Sequence, residues 1–451
     1  MTTESTTEST AESTASSTAL STTGSRPEST TTRTCGKAAG STAETGPAAG
    51  TGRPAGPELR IGVVGVGQRA ALAAHAHRPG AGSRVTACAD PHPRGREAAR
   101  SLFGPGVPVY DDHRQLLDEA RPDAVMVLTP DHLHTAPVLD ALRAGVTVFA
   151  EKPLAITTED CDLILRTARD TGSRLYVGHN LRHAPVVRRM RQLVLDGAIG
   201  RVRAVWCRHF VGHGGDFYFR DWHADRRNTT GLLLQKGAHD LDVVHWLAGG
   251  WTRRVTALGD LAVYGAAAGR RDRSGERMAD WYDPDTNWPP TALTGLNPVV
   301  DVEDISMLTG RLDNGVLVGY QQCHFTPDYW RNYTVIGDHG RLENFGDLDG
   351  AVVKVWNTRR SGYREDADRV VTVPATGSVH GGADEALVAE FLRFAARGGP
   401  TETSPVAARE AVAAGHAATR SLRNGGTPAE IEPLPAELVA YYAAGQPGTP
   451  T

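Results

Sequence analysis

The sequence predicts an α/β protein. Its first folded domain is a doubly wound parallel sheet, and a second domain built on antiparallel hairpins follows. Three observations carry this reading. A short apolar run from Leu59 leads into Gly65-x-Gly67-x-x-Ala70 and an Ala-rich helical stretch. Apolar strands and helical stretches then alternate as far as Asn180. Beyond that point, alternating segments meet at Asp313-Asn314-Gly315 and at Gly337–Gly340, and Asn-Gly is a strong hairpin signal.

The chain has 451 residues, room for two or three domains at roughly 100–200 residues each. Residues 1–57 stand apart. They are mostly Ser, Thr, Ala, Gly and Glu, too poor in apolar side chains to offset the entropy of ordering. They contain no apolar core of a secretory signal, so a disordered tail or a mis-assigned start codon is expected. The formal charge of −4 calls for neither nucleic acid nor a membrane surface. No apolar run approaches the roughly 18 residues of a membrane span. Cys35, Cys88, Cys161, Cys207 and Cys323 are odd in number and form no CxxC pair, which suggests reduced thiols and a cytoplasmic protein.

Element by element, Leu59 to Gly65 reads as a buried parallel strand. Gly65 permits the tight turn, Gly67 lets a pyrophosphate approach the backbone, and Ala70 lets helix and strand pack closely. Gln68 and Arg69 lie inside that turn. The next strand, "RVTACAD", ends in Asp90, placed to bind the ribose hydroxyls of NAD and to repel a 2′-phosphate. A glycine turn without a nucleotide is the bland alternative. "EAARSLF", "DDHRQLLDEA", "DHLHTAPVLDALRAG" and "TEDCDLILRTARDTG" read as helices. "VPVY", "DAVMVLTP", "VTVFAEKP" and "RLYVGHN" read as the strands between them. Ligands of such sheets lie at the carboxyl ends of strands. Those ends carry Thr129-Pro130, with His134 just beyond, then Glu151-Lys152-Pro153 and His179-Asn180.

"GLLLQKGAHDLDVVHW" is the most polar-studded apolar segment. With a helix from about Ala238, Leu241, Val244 and Leu247 share one face, and His239 and Asp242 share another. Such a cluster is a capping arrangement or a reactive site. Asp240 reads as a partner of the helix dipole, and His245 as packing.

These residues resemble the Gfo/Idh/MocA oxidoreductases. "TPDHLHTAPVLDALRAGVTVFAEKPLA", with its Glu151-Lys152-Pro153, carries the likeness, and "GHNLRHAPVVRRMRQLVLDGAIGRVRAV" extends it. It covers about Leu59 to Ser421. The resemblance implies a Rossmann domain over 58–180 and an α+β domain over 181–425 with a large, open, mostly antiparallel sheet. It implies NAD as cofactor, held by Gly65, Gly67, Gln68, Arg69, Asp90, Thr129, Pro130, His134, Glu151 and Lys152. It implies Lys152 beside the nicotinamide and His239 as the acid–base. It also implies a carbohydrate-like substrate lined by Asn180, Arg182, Trp222, Gln235, Lys236 and Asp242. Gln235 stands where the family pattern has Asp, and Lys236, His239 and Asp242 resemble a K-x-x-H-x-x-D branch. The implied activity is hydride transfer from a sugar, polyol or glycoside hydroxyl. The alternatives are a glycosidase that oxidises, eliminates and reduces again, or a non-catalytic NAD sensor. A homodimer or homotetramer is implied through the second sheet.

No metal is expected. His179/His183 and His209/His213 have workable spacing, but no carboxylate-rich companion motif accompanies them. Arg220, Trp222 and His223 either line the pocket or anchor a loop. Between Tyr264 and Pro298 a long polar segment contains Trp281, Tyr282 and Trp288, which suit a sugar face or a neighbouring subunit. "DEALVAEFLRFAARGG" and "SPVAAREAVAAGHAATRSLRNGG" are amphipathic helices expected to return over either domain. Residues 426–451 read as a C-terminal tail.

Overall fold

The computed structural model describes residues 58–447 apart from 268, 284–286 and 375–378. The stretch 1–57, expected to be a tail, lies outside the described residues.

Six parallel strands form the first sheet: β1 (Leu59–Val64), β2 (Ser83–Ala89), β3 (Val109–Tyr110), β4 (Ala124–Val127), β5 (Thr147–Ala150) and β6 (Leu175–Val177). Their order is β3-β2-β1-β4-β5-β6. β4 is buried throughout, and β1 and β5 are buried beyond their first residues, as their apolar runs require when helices cover both faces. The order reverses between β1 and β4, which opens a crevice at their carboxyl ends. Gly65 leaves β1 there with φ +85°, and a Cβ on it would meet the Thr129 backbone after β4 at 2.8 Å.

Nine strands form the second sheet: β7 (Val202–Phe210), β8 (Thr252–Asp260), β9 (Ile305–Leu312), β10 (Leu317–Cys323), β11 (Trp330–Gly337), β12 (Arg341–Phe345), β13 (Val352–Trp356), β14 (Arg369–Thr372) and β15 (Ala429–Glu430). The order is β14-β13-β12-β11-β7-β10-β9-β8-β15, antiparallel except where β7 meets β10. The two hairpins stand at the turns expected, β9–β10 and β11–β12. Helices Pro185–Leu195, Gly237–Ala248 and Pro405–Arg423 supply apolar side chains to the core on one face of this sheet.

The returning helices divide their work. Ala383–Arg397 packs Leu387, Phe391 and Phe394 into the core of the parallel sheet, and its Glu390 accepts the Tyr176 hydroxyl at 2.8 Å. Pro405–Arg423 ties both domains, pairing Arg409 with Asp162 and Glu410 with Arg253, each at 2.8 Å. Residues from 426 onward are not a loose tail over their described length. They add β15 and the helix Ala436–Ala443, which buries Leu438 and Tyr442. Gln446 then closes a two-way bond with the Leu175 backbone, both contacts at 2.8 Å. The spacing of Leu434, Leu438 and Tyr442 is helical, but the segment is short and flanked by prolines.

The other face of the second sheet leaves Trp206, Leu258, Met307 and Leu317 about half exposed. We propose that copies of the chain associate there, since apolar groups gathered on one face mark an interaction surface. Light scattering at micromolar concentration should give a multiple of the chain mass, and Trp206→Glu with Met307→Glu should reduce it. A single-chain mass for the unaltered protein would refute this.

Candidate functional site

The glycine turn has the shape of a dinucleotide cradle. A Cβ on Gly67 would meet nothing within 4 Å, so the backbone is open on the side a pyrophosphate would occupy. Asp90 is anchored at the end of β2, accepting the Val66 and His92 N–H groups at 2.8 Å each. Each carboxylate oxygen keeps a further lone pair for a ribose hydroxyl. These residues fit NAD. Part of the long loop reaches the same edge: Gln68 contacts the Met278 sulfur at 3.0 Å, and Arg94 lies 3.4 Å from Asp280.

Other residues expected at the cofactor brace the cradle. The Arg69 guanidinium pairs with Glu151 at 2.6 Å and with Asp384 at 3.2 Å. Burial opposes its charge, but Glu151 and Asp384 outweigh burial and hold its pKa up. Asn180 donates to the same Asp384 at 2.9 Å. His134 is fully buried, with Nδ1 2.8 Å from the Pro153 carbonyl and Nε2 2.8 Å from the Thr129 carbonyl. It ties the Thr129-Pro130 turn to the Glu151-Lys152-Pro153 turn, and burial first of all keeps it neutral.

Lys152 and Asp131 stand at neighbouring strand ends. Burial lowers the Lys152 pKa, and Glu151 and Asp131 partly restore it. Asp131 is buried, with Oδ2 free of any hydrogen bond. Burial raises its carboxyl to about 7, while Lys152 and the Gln235 side chain hold it down.

His239 arrives on the helix Gly237–Ala248. A turn, Leu232–Gln235, feeds this helix, and Gly249 ends it at φ +71°. Gly237 faces Tyr320, where a Cβ would stand at 3.4 Å, so the helix sits close on the sheet. The His239 Nδ1 has no hydrogen-bond partner. Burial, then the positive charges of Lys152, Lys236 and Arg331, hold its pKa well below the usual range. His239 is therefore a neutral imidazole. Lys236 is lowered to about 7 by burial and by Arg331 and Lys152. His179, buried after β6, and His223, stacked on Trp222 at 3.8 Å, also feel the Lys152 charge and are held neutral chiefly by burial.

The carboxylates beside His239 have other work. Asp242, expected near the substrate, receives Arg182 in two hydrogen bonds of 2.8 Å, so both residues face each other. The Arg182 guanidinium also donates to the Glu402 carbonyl at 2.8 Å. Asp240 does not serve the helix dipole alone. It accepts from Tyr333 at 2.6 Å and Tyr320 at 2.9 Å, contacts His209 at 2.8 Å, and lies 3.1 Å from the Arg331 Nε. Burial opposes its ionisation, but Arg331 and His209 outweigh it and keep the carboxyl below its usual range.

Sequence reasoning passed over Asp131 and Arg331, and weighed His209 only as a possible metal ligand with His213. Asp131 follows Thr129-Pro130 directly, so its position at a strand end was readable. Arg331 and Tyr333 alternate along β11, which puts both on the face toward His239's helix. Two cavities lie elsewhere, one of about 290 Å³ beside Arg331, Tyr329 and Asp347, the other of about 210 Å³ beside Asp216, Tyr264, Asn287 and Trp288. Trp281 lies under the Arg273 guanidinium, and Arg220 bonds the Thr294 carbonyl at 2.9 Å.

Residues 59–179 match the family described as "Oxidoreductase family, NAD-binding Rossmann fold", and residues 187–343 match the "GFO/IDH/MocA C-terminal domain". The chain belongs to the Gfo/Idh/MocA family. Its relatives include a 2,7-anhydro-N-acetylneuraminate hydratase of Mediterraneibacter gnavus, 33% identical over 47% of this chain and 55% of the relative. An inositol 2-dehydrogenase of Burkholderia multivorans is 33% identical over 42% and 55%. The chain thus spans about half the length of these curated relatives. The WlbA dehydrogenase from Bordetella pertussis, solved with NADH and UDP-GlcNAcA, shares the fold at TM-score 0.66 and 19% identity, covering 84% of this chain and 99% of that one.

Two measurements test the site. A raised acid keeps its proton in the folded chain after the unfolded chain has lost it, so stability falls as pH rises between the two pKa values. For Asp131 that window runs from about 4 for an unperturbed carboxyl to about 7. Relative to unaltered protein, the Tm of Asp131→Asn should rise across this window and level off above it. A difference independent of pH would contradict the buried carboxyl. At the other end of the cleft, calorimetry should show NAD binding more tightly than NADP, with Asp90→Ala narrowing the gap. Equal binding by the unaltered protein would remove Asp90 from cofactor choice.

Proposed function

We propose that the chain is an NAD-dependent oxidoreductase acting on a hydroxyl of a sugar, polyol or glycoside. The observation that carries this is that Lys152 and His239, from two different domains, lie close enough for the lysine charge to act on the imidazole, with neither amine nor imidazole in an ion pair with a carboxylate. Lys152 donates to the reacting hydroxyl oxygen and stabilises the negative charge that develops there. Neutral His239 accepts the hydroxyl proton. NAD, when bound, supplies the hydride acceptor. Oxidation would move the hydroxyl proton to His239 and the hydride of the carbon bearing that hydroxyl to NAD, leaving a carbonyl. Asn180, Trp222, Gln235 and Lys236 remain the candidates for substrate contacts. Arg182 and Asp242 instead hold the helix in place. Two similar proteins are described with carboxylate-bearing sugars, the neuraminate of the hydratase and the UDP-GlcNAcA bound to WlbA. An acidic sugar therefore belongs in the substrate panel.

The test is incubation with NAD and a panel of sugars, polyols and glycosides. Net NADH formation supports the proposal. Aglycone release without net NADH would replace it with a redox-recycling glycosidase. His239→Ala should slow turnover by about 10²–10⁴-fold, the usual contribution of a general base. Lys152→Met should cost at least as much, and both variants should bind NAD nearly as the unaltered protein does. Near-normal turnover by His239→Ala would overturn the mechanism.

A further inference from the structure

We infer that the substrate carries a carboxylate on its sugar or polyol frame and that Lys236 receives it. The inference rests on reading this cleft as the substrate site, and it comes from how the charges around Lys236 are engaged. Among the described residues Lys236 has no ion pair and no hydrogen bond. Its ammonium lies 5.7 Å from the Tyr218 ring centre, only partly screened from solvent.

The nearby carboxylates are occupied. Asp240 is ringed by His209, Tyr320, Tyr333 and Arg331. Asp347 takes the Tyr329 hydroxyl at 2.6 Å and Arg331 at 3.2 Å. Asp242 is filled by Arg182. Asp131 stands on the Lys152 side, with the neutral Gln235 amide against it. The chain therefore brings Lys152, Lys236 and Arg331 together and balances only Arg331 directly.

A partly buried ammonium without a counter-ion is costly, and the cost appears as a proton held loosely. The Lys236 pKa is lowered to about 7, burial being the main cause and Arg331 and Lys152 the next. A ligand anion would restore the missing partner. One unpaired ammonium suits a monoanion. A phosphate is better matched by several donors or a guanidinium fork, and the Arg331 charge is already balanced by Asp240 and Asp347.

The test uses NAD-loaded protein and acetylation by N-hydroxysuccinimidyl acetate, read at Lys236 by peptide mass spectrometry. D-glucuronate, D-galacturonate and D-gluconate should protect Lys236 at concentrations about tenfold or more below those of D-glucose, D-galactose and glucitol, the scale of one charge-assisted contact. Equal protection by acids and neutral parents, or none by either, overturns the inference. Stronger protection by glucose 6-phosphate than by the acids overturns the carboxylate. Ligand-observed NMR on two variants guards against a folding defect. Lys236→Met should lose the preference for acids, and Lys236→Arg should keep it; a preference that survives Lys236→Met overturns the assignment. The two readings fail separately. Acids that protect while no compound yields NADH would sink the oxidoreductase and leave the anion site. NADH from neutral sugars alone would do the reverse.

Discussion

Everything at the site depends on how the helix Gly237–Ala248 is held. Two carboxylates next to His239 pull it in different directions. Asp242 reaches Arg182 at the end of the parallel sheet, and Asp240 reaches Arg331, His209 and two tyrosines of the second sheet. Successive helical residues are about 100° apart, so His239 falls in the arc between them. The helix can neither roll nor slide without breaking a buried charge pair. Removing one partner of such a pair costs about 3–5 kcal/mol, because the other charge is left buried alone. The ion pairs need not add net stability over apolar packing. They fix one orientation of the helix, and that orientation presents an unpaired imidazole to Lys152.

The same bookkeeping explains why the cleft basic groups are soft. Asp240 and Asp242 are held ionised because each has a cation within bonding distance, and Glu151 pairs with Arg69. Lys152, Lys236 and His239 have no ion pair, so burial lowers all three pKa values, and nearby positive charges add to the fall at Lys236 and His239. The carboxylates build the frame, and the basic groups of the cleft are left without ion-pair partners.

The parallel sheet was legible because each strand is a short apolar run bounded by helices of ordinary length, and because Gly65 and Gly67 punctuate the first turn. The hairpins of the second sheet were legible from Asn314-Gly315 and Gly337–Gly340. The sheet's full order was not, since pairing β7 with both β10 and β11 joins segments more than a hundred residues apart and no local pattern records it. At the site, Lys152, His239 and Lys236 could be singled out as polar residues inside apolar segments. The pairing of Asp242 with Arg182 could not, because it depends on where the helix lands against β6. Asp240 was misread for a related reason. A carboxylate in a first helical turn has a local explanation, and only the folded sheet supplies Tyr320, Tyr333 and Arg331 as stronger partners.

His134 shows how the first domain prepares its half of the cleft. A neutral imidazole has one N–H, yet its two nitrogens each face a carbonyl at 2.8 Å. Only one of Thr129 and Pro153 can receive a proton from the ring at a time. Charging the ring would satisfy both, and burial prevents that. The two turns are therefore gripped by packing and by one hydrogen bond with two possible acceptors. Those turns carry Asp131 and Lys152. The position of the lysine thus rests on a buried ring that grips both turns, just as the position of His239 rests on Asp240 and Asp242. In both domains the proposed catalytic side chain is free of an ion pair while its immediate neighbours in sequence are engaged.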